Sequence, residues 1–147
     1  MSVVEVPGAL LRETFAHFRA CGRGERECVA YWIASGGDPY RVMRVVHPPH
    51  SAGDCGYEVE SRFVNDLFLA LRRSGETVLA QVHTHPFGAS HSEVDDRYAL
   101  VPAEGFYSLV VPDFALGEVT LDRTHLVVMD PNGEWNVIEP GAHFVLV

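Results

Sequence analysis

The stretch from residue 81 to 96, QVHTHPFGASHSEVDD, carries the residues most able to do chemistry. His83 and His85 are two apart at the end of an apolar run that reads as a strand. Strand side chains alternate between faces, so both imidazoles point to the same side. Two imidazoles on one face supply half of a tetrahedral zinc site. Pro86 then stops the strand, and a loop leads to Ser92. Ser92-Glu93-Val94-Asp95 has the form of a helix start, a serine cap with an acid three residues on. Such a start aims Asp95 back towards the histidines. Two histidines and one aspartate leave the fourth position to water, the layout of a catalytic rather than a structural zinc.

Water attack also needs a carboxylate to take and relay a proton. The sequence has no H-E-x-x-H arrangement, so the base must come from elsewhere in the chain. Glu27 opens an apolar run, where a carboxylate is unusual, and Glu25 is an equal charge two residues earlier. The residues alone leave both open.

These groups need elements to hold them. Pro7 at a first helical position, with Leu10, Leu11, Phe15 and Phe18 at helical spacing, predicts a helix from Pro7 to about Ala20. Glu27 to Ala34 is rich in β-branched and aromatic residues and is followed by Ser35-Gly36-Gly37-Asp38-Pro39, which predicts a strand and a turn. Arg41 to His47 reads as its hairpin partner, and residues 48–56 as a loop. Ser61 is expected to cap a helix over Arg62 to Arg73, with Phe63, Val64, Leu67, Phe68 and Leu71 on one face and Gly75 at its end. Val78 to His85 and Phe106 to Val111 read as strands, and Ser92 opens a short helix that stops near Pro102. Leu126 to Met129 and Glu134 to Ile138 flank Asp130-Pro131-Asn132-Gly133 as a hairpin, and His143 to Val147 reads as an edge strand. The fold class expected is α/β in the α+β sense: a mixed, mostly antiparallel sheet packed by helices.

His83-Thr84-His85-Pro86 followed by Ser92-Glu93-Val94-Asp95 resembles the motif H-S/T-H-P then S-x-x-D of the JAMM (JAB1/MPN+) zinc peptidases. GFYSLVVPDFA, Gly105 to Ala115, resembles the strand that follows the motif in bacterial JAB proteins. The resemblance covers roughly residues 25–115 and implies one JAB/MPN domain over residues 1–147 with the MPN, cytidine-deaminase-like fold. It implies Zn2+ as cofactor, held by His83, His85 and an aspartate, with Ser92 stabilising the oxyanion and a glutamate early in the chain as base. That glutamate opens the pattern E-x-C-G-x-L-x-G in the family. Glu27-Cys28-Val29-Ala30-Tyr31-Trp32-Ile33-Ala34 matches in outline, with Ala30 and Ala34 for glycines and Trp32 for leucine, and this register favours Glu27.

The loop between His85 and Ser92 is one residue shorter than the family pattern. Keeping S-x-x-D intact makes Asp95 the ligand. Keeping the His-to-Asp spacing makes it Asp96 and puts Glu93 where the serine belongs. The serine cap sets where the acid points, which favours Asp95.

The activity implied is cleavage after the C-terminal glycine of a ubiquitin-like protein or its conjugates, in a bacterial conjugation operon such as an antiphage defence system. The alternatives are processing of a sulfur-carrier protein and a metal-free MPN scaffold.

Composition bounds the rest. A formal charge of −9 repels nucleic acid phosphates, and no apolar run approaches the roughly 20 residues that span a bilayer, so neither nucleic acid nor membrane is expected as a partner. The N-terminal MSVVEVPGAL lacks the basic start and apolar stretch of a secretory signal, and Cys21, Cys28 and Cys55 form no C-x-x-C pair. A cytoplasmic protein with reduced thiols is expected. All 11 basic residues are arginine. Arginine-favouring codon use and avoidance of lysine as an acceptor for ubiquitin-like modifiers both account for that.

Overall fold

The computed structural model describes residues 3–52, 57–89 and 99–147. Six strands form the central sheet, in the order β3-β2-β6-β7-β8-β9. They are β2 (Val29–Ser35), β3 (Arg44–Val46), β6 (Glu76–Thr84), β7 (Tyr107–Val111), β8 (His125–Met129) and β9 (Trp135–Ile138). All pairings in this sheet are antiparallel except β6 with β7. The inner strands β2 and β7 are almost wholly buried, as their continuous apolar runs require.

Among the described residues, two helices cover the sheet. Along β2 the residues alternate between two apolar clusters. Cys28, Ala30 and Trp32 pack with Leu11, Phe15 and Phe18 of α1 (Gly8–Gly22), whereas Val29, Tyr31 and Ile33 pack with Leu71 of α2 (Ser61–Ser74). The period-two rule thus decides which helix each residue meets. Trp32 is fully buried, and its indole N–H donates to Thr14 Oγ1 at 3.0 Å, so the large ring enters the core without an unmet donor.

Helix α1 ends where Arg23 takes a left-handed conformation, φ 54°, and its N–H returns to the Arg19 carbonyl. Helix α2 ends the same way at Gly75, φ 70°, a position that favours glycine. At its start the structure corrects the expectation. Ser61 is the first helical residue, Glu60 precedes it, and no side chain caps the end. Of the expected apolar face, Leu71 alone is fully buried, and Phe68 is left over a third exposed.

The ends of the chain meet. β1 (Val4–Val6) pairs in parallel with β10 (Phe144–Leu146). The expected tail strand therefore finds its partner in a three-residue segment too short to stand out in sequence. Residues 48–56, read as a loop, contain half of a hairpin. There β4 (His50–Ala52) pairs with β5 (Tyr57–Val59). The β8–β9 turn is as expected, with Asp130 accepting the N–H groups of Asn132 and Glu134.

Topology gathers the site. β6 and β7 run parallel, so their C-terminal ends, Thr84 and Val111, lie side by side. β2 runs the other way, and Val29 at its start pairs with His83. The start of β2, the end of β6 and the turn after β7 therefore share one edge of the sheet.

Candidate metal centre

At this edge two hydrogen bonds set the register. The Cys28 N–H donates to Thr84 Oγ1 at 2.9 Å, and the Thr84 N–H donates to the Cys28 carbonyl at 3.0 Å. The threonine between the two histidines is thus a clamp. It fixes Glu27 one residue before Cys28 and His85 one residue after Thr84, and alternation turns both away from the α1 side. Glu27 Oε1 lies 3.8 Å from His85 Nε2. That is longer than a hydrogen bond, so the carboxylate and the imidazole border a common space.

Glu27 is 4 % exposed, an unusual place for a carboxylate without a task, whereas Glu25 is exposed at the surface. His83 is fully buried. Its ring lies 5.6 Å from the Tyr57 ring and 5.1 Å from that of His85, centroid to centroid. β6 ends at Thr84, so His85 is the first residue beyond the strand, and its ring nevertheless stays beside that of His83.

The segment after His85 is held from the other side. The His85 N–H donates to the Val111 carbonyl at 3.0 Å, the Phe114 N–H to the His85 carbonyl at 2.9 Å, and the Asp113 N–H to the Phe87 carbonyl at 2.9 Å. The residues making the last two bonds are strained. Asp113, Phe114 and Ala115 have φ of 55°, 52° and 62°, three consecutive non-glycine residues in the left-handed region. Arg19 holds this turn from α1, donating through Nε to the Ala115 carbonyl and through a terminal nitrogen to the Gly117 carbonyl, both at 2.7 Å.

The structure therefore brings Glu27, His83 and His85 together. Ser92, Asp95 and Asp96 lie outside the described residues. Three contributors were missed in the sequence: Thr84 as a clamp, Tyr57 against His83, and the Arg19-bound turn. The T of H-T-H and the VPDF stretch were visible there. Three successive left-handed residues are not legible from side-chain type, since no glycine marks them.

On the α1 side, Cys28 is fully buried. Burial foremost, then the hydrogen bond and charge of Cys21 and the charge of Glu27, push its thiol up to about 12.

The comparisons agree with this architecture. A model of prokaryotic homologues of the JAB domain matches residues 8–129. The chain is 31 % identical over 141 residues to the probable metalloprotease y4jG of Sinorhizobium fredii (strain NBRC 101917 / NGR234), covering 92 % of this chain and 86 % of that protein. Among solved structures, DSY2949 from Desulfitobacterium hafniense superposes with a TM-score of 0.68 at 16 % identity, over 99 % of this chain and 93 % of the other. AF2198, a JAB1/MPN domain protein from Archaeoglobus fulgidus, does so with a TM-score of 0.54 at 17 % identity, over 99 % of this chain and 100 % of the other. With a family model spanning most of its length and the mixed sheet of JAB1/MPN neighbours, the chain belongs to the prokaryotic JAB domain family.

Proposed function

We propose that the protein is a zinc-dependent peptidase of the JAMM type, acting in the bacterial cytoplasm on the peptide or isopeptide bond after the C-terminal glycine of a ubiquitin-like protein. The observation that carries the reading is the buried Glu27 carboxylate 3.8 Å from His85, with His83 on the same face. The similarity to a probable metalloprotease over most of both chains supports it. The donor set suits zinc, since imidazoles on one strand face and a nearby carboxylate are its ordinary surroundings. His83, His85 and Asp95 would hold it, with Asp96 in place of Asp95 if the loop keeps the family's histidine-to-aspartate spacing.

When bound, zinc supplies Lewis acidity, polarising the scissile carbonyl and lowering the pKa of water towards ~7. The remaining work falls to the chain. Glu27 takes the proton of the attacking water and delivers it to the leaving amine. Its burial keeps bulk water from competing for that proton. Ser92 donates to the carbonyl oxygen as negative charge grows there. The Thr84 clamp and the turn at residues 113–115 hold His85 and Glu27 at fixed separation, so little reorganisation is left for the reaction.

Processing of a sulfur-carrier protein would use the same groups and a similar glycine-ending tail. A metal-free scaffold would have no use for a buried carboxylate facing a histidine. The test is a panel of ubiquitin-like and sulfur-carrier proteins, each extended past its C-terminal glycine by a reporter amine. Release of the reporter, abolished by chelation and by Glu27→Gln, is expected. Intact substrates across the panel, with the protein loaded with zinc, would contradict the reading.

A further inference from the structure

Towards α1 from this site lies a second group of side chains that could hold a metal ion. Cys21 in the last turn of α1, Cys28 just before β2 and His50 at the start of β4 place their ligand atoms within 4.8 Å of one another. Cys21 Sγ and His50 Nε2 are 3.6 Å apart. Tetrahedral zinc with Zn–S of ~2.3 Å and Zn–N of ~2.0–2.1 Å puts a sulfur and a nitrogen ligand ~3.6 Å apart. That edge of the tetrahedron is already formed.

The histidine is also set for the task. His50 Nδ1 lies 3.0 Å from the Pro48 carbonyl, which can only accept, so Nδ1 carries the hydrogen. Nε2 is then the nitrogen that faces the Cys21 sulfur and is left to ligate. A ligand histidine whose other nitrogen donates to a backbone carbonyl is the usual arrangement in metal sites. The His47 ring packs edge-on against that of His50, 5.6 Å between centroids, and restricts its rotation. Gly22 makes room for the second thiol, since a Cβ there would meet Cys28 Sγ at 3.0 Å.

We propose that Cys21, Cys28 and His50 form a second zinc site, separate from the one at His83 and His85, with its fourth position open to water or an exogenous ligand. Two thiolates cancel the charge of the ion, and sulfur donors select zinc over magnesium or calcium. Binding displaces the two thiol protons, as thiolate ligation requires. The ion ties three segments far apart in sequence: α1, the entry to β2 and the β4–β5 hairpin. That hairpin carries Tyr57, whose ring lies 6.4 Å from that of His50 and 5.6 Å from that of His83. The second ion thus holds the wall against which the first site packs.

Cobalt distinguishes the two sites, because a thiolate ligand gives a charge-transfer band in the near ultraviolet and a site of histidine and carboxylate does not. Metal-free full-length protein in a Cys55→Ser background, which removes the remaining thiol, is titrated with Co2+. The band is expected to saturate at about one equivalent of thiolate-bound metal per chain and to bleach on addition of Zn2+. It is expected to vanish in Cys21→Ser and Cys28→Ser and to persist in His83→Ala/His85→Ala. Cys21 is at the surface, so its serine variant tests the site without disturbing the core. No band in the parent protein, a band unchanged in Cys21→Ser, or a band lost with His83 and His85 would each overturn the proposal. Failure here leaves the peptidase reading untouched, because that reading depends on no thiol.

Discussion

Removing the guanidinium of Arg19 should loosen the candidate metal centre from a distance. Arg19 stands on α1, yet its two bonds at 2.7 Å end on the carbonyls of Ala115 and Gly117. Each left-handed non-glycine residue costs roughly 1–2 kcal/mol, so Asp113, Phe114 and Ala115 together store about 3–6 kcal/mol. Hydrogen bonds from a charged donor contribute about 1.5–3 kcal/mol when sheltered. One of these two is solvent-exposed and is discounted, which leaves about 2 kcal/mol for the pair. Relaxation of the turn returns some of the strain, so Arg19→Met should lose about 1–2 kcal/mol, a fall in Tm of about 3–6 °C for a chain of 147 residues. The Arg19 guanidinium also lies over the Phe15 ring, 5.8 Å from its centroid, so the loss includes that cation–π contact as well as the two hydrogen bonds. The larger effect should be on turnover. The relaxed turn no longer fixes the His85 and Phe87 carbonyls, and a misplacement of ~1 Å can cost ~10²-fold in rate. Scanning calorimetry and a cleavage assay on zinc-loaded protein check both. An Arg19→Met protein with the parent's Tm and rate would refute the idea that this turn positions His85.

Thr14→Val leaves the buried Trp32 indole N–H without its acceptor and should cost about 1–3 kcal/mol in denaturant unfolding. Asp95→Ala should lower zinc occupancy while Asp96→Ala leaves it largely intact; elemental analysis giving the reverse would show that histidine spacing fixes the ligand. Ser92→Ala should keep its zinc and lose ~10²- to 10³-fold in rate, as expected for one oxyanion donor. The Glu76 carboxyl is held down to about 2, chiefly by Arg44 and then by Ser74. Its folded-state pKa lies below the ordinary ~4.3 of glutamate, so its contribution is fully present above that value and is lost as pH falls towards 2. Arg44→Ala should therefore reduce the acid dependence of stability between pH ~4.3 and ~2, as read by unfolding at a series of pH values.

Much of this was legible because single residues carry strong signals. The H-T-H-P run ends a strand, and period two alone puts both imidazoles on one face. The alternation of Ala30 and Trp32 with Val29, Tyr31 and Ile33 implies a strand buried on both sides, and the structure shows one. What stayed hidden depends on partners distant in sequence. Val4–Val6 becomes a strand only because the C-terminus lies beside it. His50–Ala52 does so only because Tyr57–Val59 folds back on it. Glu27 and Glu25 look alike in sequence. The Cys28–Thr84 hydrogen bonds, 56 residues apart in the chain, bury the first beside His85. The gathering of Cys21, Cys28 and His50 is of the same kind, since no C-x-x-C spacing announces it.

The central claim is that Glu27 moves the proton for a metal held by His83 and His85, and one paired measurement tests it most directly. Zinc content and the rate of reporter release are determined side by side for the parent protein and Glu27→Gln. Equal zinc is expected in the two proteins, with a rate lower by ~10²- to 10⁴-fold in the variant, because an amide cannot accept the proton. A Glu27→Gln protein that holds its zinc and cleaves at the parent rate would contradict it.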